Sequence, residues 1–128
     1  MTSPKRRPRV LLVEDELLIA VTVQEMLEDL GCEVIGPITT LSEALDHCAS
    51  TDADAAVLNL ILKGEEAYAV AAVLAARNIP FGFASGVDQE HAMRDWKDRP
   101  FLTKPYSPAD LRDFLRQVLP DHISPPSG

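Results

Sequence analysis

Asn59 closes an apolar run, Ala55-Ala-Val-Leu-Asn-Leu60, that breaks a few residues later at Gly64. A polar side chain at the C-terminal end of a buried strand lies where open parallel sheets place their chemistry. An aspartate there could attack a phosphoryl donor and help to hold a divalent cation. A carboxamide is no usable nucleophile and brings no charge. Three further groups follow short apolar runs: Glu14 and Asp15 after Arg9-Val-Leu-Leu-Val13, Ser85 after Phe81-Gly-Phe-Ala84, and Lys104 after Pro100-Phe-Leu-Thr103. Each has a plainer reading when taken alone. The acid pair could cap the next helix and oppose its dipole, Ser85-Gly86 could be a turn, and Lys104-Pro105 a loop. Their succession at four strand ends on one rim favours a single shared site.

The elements that must position these groups are legible from periodicity. After the first strand, Ile19, Val23, Met26, Leu27 and Leu30 recur at helical spacing up to Gly31, a residue suited to the position just past a helix end. Cys32 to Ile35 reads as a second strand. Thr40 with Glu43 offers a capping box for a helix turning Leu41, Ala44, Leu45 and Cys48 inward. Ala55 to Leu60 is the third strand, and Glu65 to Arg77 an alanine-rich helix closed by Asn78. Phe81 to Ala84 is the fourth strand, Asp88 to Trp96 a helix with a thin stripe of Ala92, Met93 and Trp96, and Pro100 to Thr103 the fifth strand. Ser107-Pro-Ala-Asp110 starts the last helix, with serine as cap and proline at the first helical position. Leu111, Phe114, Leu115 and Val118 form its inward stripe. Five strands alternating with five helices over roughly residues 9 to 119 predict an α/β domain with a parallel sheet covered on both faces.

The order of acid pair, strand-three acceptor position, strand-four hydroxyl and Lys-Pro resembles the receiver domain of two-component response regulators, over almost the whole chain. The resemblance implies a flavodoxin-like, doubly wound five-stranded sheet of order 2-1-3-4-5 with five helices. It implies that Asp15 ligates Mg²⁺ with Glu14 as its acidic neighbour, joined by the side chain at position 59 and the backbone carbonyl of Ile61. Hard oxygen ligands suit that ion. Ser85 would hydrogen-bond a phosphoryl oxygen, and Lys104 would pair with the phosphoryl group in the active form and with acids at rest. The Lys104-Pro105 bond of such receivers is typically cis. Phe101 takes the place of an aromatic residue whose rotamer reports the switch, although packing alone explains an aromatic there, as it does Trp96.

Asn59 departs from the pattern at the phosphoacceptor position. Three carboxylates about 5 Å apart repel one another by about 3 kcal/mol per pair at an effective dielectric near 20, which is why such a site attracts Mg²⁺. With an amide in place of one acid, the expectation is weak Mg²⁺ binding and no acyl phosphate. Two origins of Asn59 stay open: a native pseudo-receiver residue, or an aspartate-to-asparagine substitution in an ordinary phospho-accepting receiver. Phe83-Ala-Ser-Gly-Val-Asp88 is similar, with two changes, to the Phe-Ala-Thr-Gly, apolar, Tyr stretch of a subfamily of stand-alone receivers, which favours the native origin.

Composition bounds the rest. A chain of 128 residues, 46% apolar and 25% charged, is the size of one globular domain. A net charge of −8 argues against a nucleic-acid surface. The basic cluster Lys5, Arg6, Arg7 and Arg9 reads as a solvated arm, so residues 1–8 and 120–128 are expected to be disordered extensions of a 9–119 domain. No apolar span of membrane length and no signal peptide is visible, and Cys32 and Cys48 read as reduced thiols of a cytoplasmic protein. His47, His91 and His122 stand too far apart for a zinc motif.

With no output domain expected after the fifth helix, the resemblance implies action by contact rather than by catalysis. The partners implied are a histidine kinase, a phosphotransfer protein or another regulator, met through the face of the fourth helix, fifth strand and fifth helix, which such receivers also use for homodimers. A phosphate sink would need an aspartate at position 59. A flavodoxin-like small-molecule protein is the reading from another class, but it needs a phosphate-cradling loop after the first strand. Glu14-Asp15-Glu16 would repel a phosphate there.

Overall fold

The computed structural model describes residues 7–62, 64–85, 99–104 and 106–119, with Glu65 and Ser85 described in their backbone alone. The chain runs β1 (Arg9–Val13), α1 (Leu17–Asp29), β2 (Glu33–Ile38), α2 (Leu41–Ser50), β3 (Ala55–Asn59), β4 (Ile61–Leu62), β5 (Glu65–Glu66), α3 (Tyr68–Ala76), β6 (Phe81–Ser85), β7 (Phe101–Thr103) and α4 (Pro108–Val118). Five strands form one sheet in the order β2-β1-β3-β6-β7. All four of its pairings are parallel. Counting only the strands of this sheet, that is the expected 2-1-3-4-5 order.

Alternation along the central strands divides the core in two, since successive side chains of a strand point to opposite faces. Leu11, Val13, Leu58, Phe81 and Phe83 pack with Ala44, Cys48, Val70 and Leu74 of α2 and α3 on one face. Val10, Leu12 and Val57 pack with Val23 and Leu27 of α1 and Leu111, Phe114 and Leu115 of α4 on the other. Each fully buried leucine stabilises the fold by about 1.5–3 kcal/mol. This double burial leaves β1 and β3 no solvent face, so their C-terminal ends can present polar groups only at the sheet's rim.

Helix ends follow the sequence signals closely. Thr40 accepts the backbone N–H of Glu43, and Ser107 and Asp110 form a reciprocal capping box with Pro108 at the first helical position. Gly31 follows α1 at φ +91°, a left-handed conformation that ends the helix at little cost only for glycine.

Two departures have local causes. The helix expected from Glu65 begins at Tyr68, because Ile61 and Leu62 pair antiparallel with Glu66 and Glu65 as a small hairpin. The hairpin buries Leu60, Leu62 and Ala67, and Ala67 N–H donates to the Leu60 carbonyl at 2.8 Å. Packing there outweighs the helical propensity of the alanines. The second strand runs Glu33–Ile38 rather than ending at Ile35. It does so by an irregularity: Leu11 pairs with Ile35 and Val13 with Ile38, so Gly36 and Pro37 together face Leu12. Proline is tolerated because β2 is an edge strand. Just before β1, Pro8 is buried and its carbonyl accepts the N–H of Glu33. The helix expected at Asp88 to Trp96 and the tail 120–128 lie outside the described residues, as does Pro105 with its bond to Lys104; the cis peptide among the described residues is Gly36–Pro37.

Candidate functional site

The parallel register sets the site. Val13 lies beside Leu58 across β1 and β3, and Asn59 beside Ala84 across β3 and β6. The residues just past Val13 and the last residue of β3 therefore emerge together at the C-terminal rim. Glu14 is tied there by its own N–H, which donates to the Ile38 carbonyl at 2.9 Å. Glu14 and Asn59 are both buried, at 3% and 8% exposure.

Asn59 uses both ends of its carboxamide. Nδ2 donates to the Ile61 carbonyl at 2.7 Å, to Asp15 Oδ1 at 2.9 Å and to Glu14 Oε2 at 3.2 Å. With two hydrogens and three acceptors, at least one hydrogen is shared. Oδ1 lies 3.5 Å from the Nζ of Lys104, which also donates to Glu14 Oε1 at 2.5 Å. The amide orientation is fixed by this environment. The reverse would set Oδ1 against three oxygens and Nδ2 against an ammonium.

Glu14 is fully engaged. Besides Asn59 and Lys104, its Oε2 accepts the backbone N–H of Glu16 at 3.1 Å. Burial raises its carboxyl above the ordinary range, and the bonds from Lys104 and Glu16 partly oppose that. The acid pair thus serves the rim rather than a helix cap: α1 is capped by Glu16, whose side chain makes no capping bond.

The structure brings together four of the residues singled out from sequence: Glu14, Asp15, Asn59 and Lys104, with the Ile61 carbonyl. Ser85 ends β6 beside Thr103, so its backbone lies on the same rim. Phe101 is half-buried and packs on the core, its ring centroid 6.5 Å from that of Phe83. Two features had no sequence signal of their own. Tyr106 joins Lys104 in lining a cleft with Leu18, Ile19, Thr22, Val23 and Met26. Burial, with the Glu14 charge, pushes its phenol up to about 12. On α1, Leu17, Leu18 and Val21 are exposed, away from the buried Ala20, Val23 and Leu27.

Glu14 Oε2, Asp15 Oδ1 and the Ile61 carbonyl converge on the Asn59 Nδ2 atom, and hard oxygen donors of this kind are those Mg²⁺ prefers, although an octahedral ion takes six. An ion held there would neutralise the carboxylates and anchor phosphoryl oxygens. Among the described residues no cluster of three or more His, Cys, Asp or Glu side chains could hold a metal. Two carboxylates and a carbonyl, with an amide nitrogen already at their meeting point, fit that ion only weakly.

No family model matches the chain. Among solved structures, SdrG from Sphingomonas melonis Fr1 is 35% identical, covers 91% of this chain and 99% of its own, and superposes with a TM-score of 0.80. A response regulator receiver domain (CheY-like) from Methylobacillus flagellatus is 25% identical over 88% of this chain and 98% of its own, with a TM-score of 0.74. This chain belongs to the response regulator receiver domains. The receiver is also 28% identical over 107 residues to the transcriptional regulatory protein PdtaR of Mycobacterium tuberculosis, matching 80% of this chain but only 52% of that protein. It thus spans about half the length of that curated relative. The receiver domain of the sensor histidine kinase PA1611 from Pseudomonas aeruginosa PAO1, 20% identical over 90% of this chain with a TM-score of 0.72, has a magnesium ion coordinated in its own active site cleft. Among the described residues of the receiver no helix is long and apolar enough to cross a membrane.

Proposed function

We propose that this receiver is a stand-alone or pseudo-receiver of cytoplasmic phosphorelay signalling, acting by protein contact and carrying no phosphate at Asn59. The single observation behind this reading is the carboxamide at the acceptor position. It offers no nucleophile, and its nitrogen is spent on the pocket's own oxygens. Lys104 is held by Glu14 and Asn59. In this reading Glu14 and Asp15 form a weak Mg²⁺ site, Ser85 and Lys104 are retained phosphoryl-sensing positions, and Phe101 is the switch aromatic.

The partners are a histidine kinase, a phosphotransfer protein or another regulator. The expected contact and homodimer face includes β7 and α4 and the segment that precedes β7. The exposed Leu17, Leu18 and Val21 give the domain a second apolar surface beside the cleft, which also favours contact as the mode of action. Catalysis has no support here. A flavodoxin-like small-molecule protein is disfavoured because Glu14 and Asp15 occupy the rim where a phosphate would sit.

Capture of partners by the wild-type chain and by Asn59→Asp, each with and without a small phosphodonor and Mg²⁺, tests the reading. Equal capture by wild type and variant in all conditions is expected of a constitutive binder. Capture by the phosphorylated variant alone would show that the asparagine freezes a real switch.

A further inference from the structure

We propose that the Asn59 carboxamide is a built-in stand-in for the divalent cation of the receiver pocket, so that an ion binds only by displacing it. This deepens the reading of the pocket given above and rests on it. The Nδ2 atom lies 2.7, 2.9 and 3.2 Å from the Ile61 carbonyl, Asp15 Oδ1 and Glu14 Oε2. Those are the three protein oxygens that an ion would share. Mg²⁺ requires its oxygens at about 2.0–2.1 Å, so ion and nitrogen cannot occupy that point together. The N–H edge of an amide carries partial positive charge, and here it meets the same donor set that the ion would.

Lys104 completes the substitution. Its ammonium supplies the full charge at Glu14 Oε1, while the amide edge covers Oε2 and Asp15. An amide turned end for end, to offer Oδ1 as a ligand, would set Nδ2 against the Lys104 ammonium that now lies 3.5 Å from Oδ1. Two donors would then face each other. Offering Oδ1 to an ion would therefore cost the amide its contact with Lys104, whose stronger bond to Glu14 Oε1 at 2.5 Å is untouched.

The test uses the full chain labelled with ¹⁵N, whose two asparagines and three glutamines give five carboxamide signals. Without divalent ions, the signal lost in Asn59→Asp is expected to exchange with water far more slowly than those of the glutamines. It should stay unmoved at Mg²⁺ concentrations that saturate Asn59→Asp. By calorimetry, Asn59→Asp should bind Mg²⁺ roughly tenfold or more tightly than wild type. Asn59→Ala should bind it at least as tightly as wild type, despite having one fewer oxygen, because the obstruction is gone. Weaker binding by the alanine variant would make the amide oxygen a ligand and overturn the proposal. So would wild-type affinity equal to that of Asn59→Asp, or an Asn59 amide that exchanges as freely as the glutamines. Should the alanine variant fail to fold, the wild-type spectrum and the aspartate comparison decide alone. Partner capture that depends on phosphorylated Asn59→Asp would overturn constitutive binding and leave this proposal standing.

Discussion

Asn59 presents the nitrogen of its carboxamide to Asp15 Oδ1 at 2.9 Å, an attractive contact where two carboxylates would repel. Asn59→Asp removes that donor, and those to Glu14 and the Ile61 carbonyl, and adds a charge. The variant is expected to lose about 1–3 kcal/mol of stability in chelator. Mg²⁺ should restore much of the loss by binding the folded state, while leaving the wild type nearly unchanged. Urea unfolding of both proteins, with chelator and with Mg²⁺, checks the difference.

Lys104 compensates a glutamate that is almost wholly buried. Lys104→Met should therefore cost about 3 kcal/mol at neutral pH, the scale for stranding one partner of a buried pair. The folded-state carboxyl of Glu14 is raised by burial from its ordinary 4.5, so its favourable contribution is complete below that pH and is lost as pH rises through the higher folded value. Without Lys104 the loss deepens. Stability measured from pH 4.5 upward should fall more steeply in Lys104→Met than in wild type, and Glu14→Gln should flatten the profile.

Cys32 and Cys48 are free and fully buried, and burial pushes both thiols up to about 11. Native protein at neutral pH should resist alkylating reagents until unfolded. Because these folded-state values exceed the ordinary 9.0, the stability they support is intact below pH 9 and lost as pH rises toward 11. Cys32→Ala with Cys48→Ala should shift the alkaline fall in Tm to higher pH, apart from the cost of the cavities.

Gly82 lies in β6 directly beneath Phe114 of α4. A Cβ there would meet Phe114 Cζ at 2.5 Å, Phe114 Cε1 at 2.7 Å and the Pro100 carbonyl at 3.0 Å. Gly82→Ala must push α4 or its phenylalanine aside, and overpacking of that kind costs about 1–3 kcal/mol. Chemical denaturation measures it. A second substitution, Phe114→Leu, should recover part of the loss by vacating the space.

Much of the fold and site could be read before any coordinates. Val10 to Val13 and Ala55 to Leu58 are continuous apolar runs because both faces of the sheet are covered, and Ser107 to Asp110 spells out its own cap in residue types. The site followed, since a parallel sheet brings strand ends to one rim whatever lies between them. The hairpin at Ile61 to Glu66 was hidden because its stability comes from burying Leu60, Leu62 and Ala67, a tertiary effect that alanine propensity masks. The passage of β2 through Gly36 and Pro37 was hidden because only an edge strand tolerates it, and edges are a property of the assembled sheet. The direction of the Asn59 amide depends on Glu14, Asp15 and Lys104, three partners distant in sequence, as well as on the nearby Ile61 carbonyl. No local pattern could have given it.

Mass spectrometry of the intact chain after incubation with a small phosphodonor and Mg²⁺, beside Asn59→Asp, tests the central claim most directly. The expected result is an added phosphate on the variant, located at residue 59, and no added mass on the wild type. A phosphate on wild-type Asn59 would contradict the account.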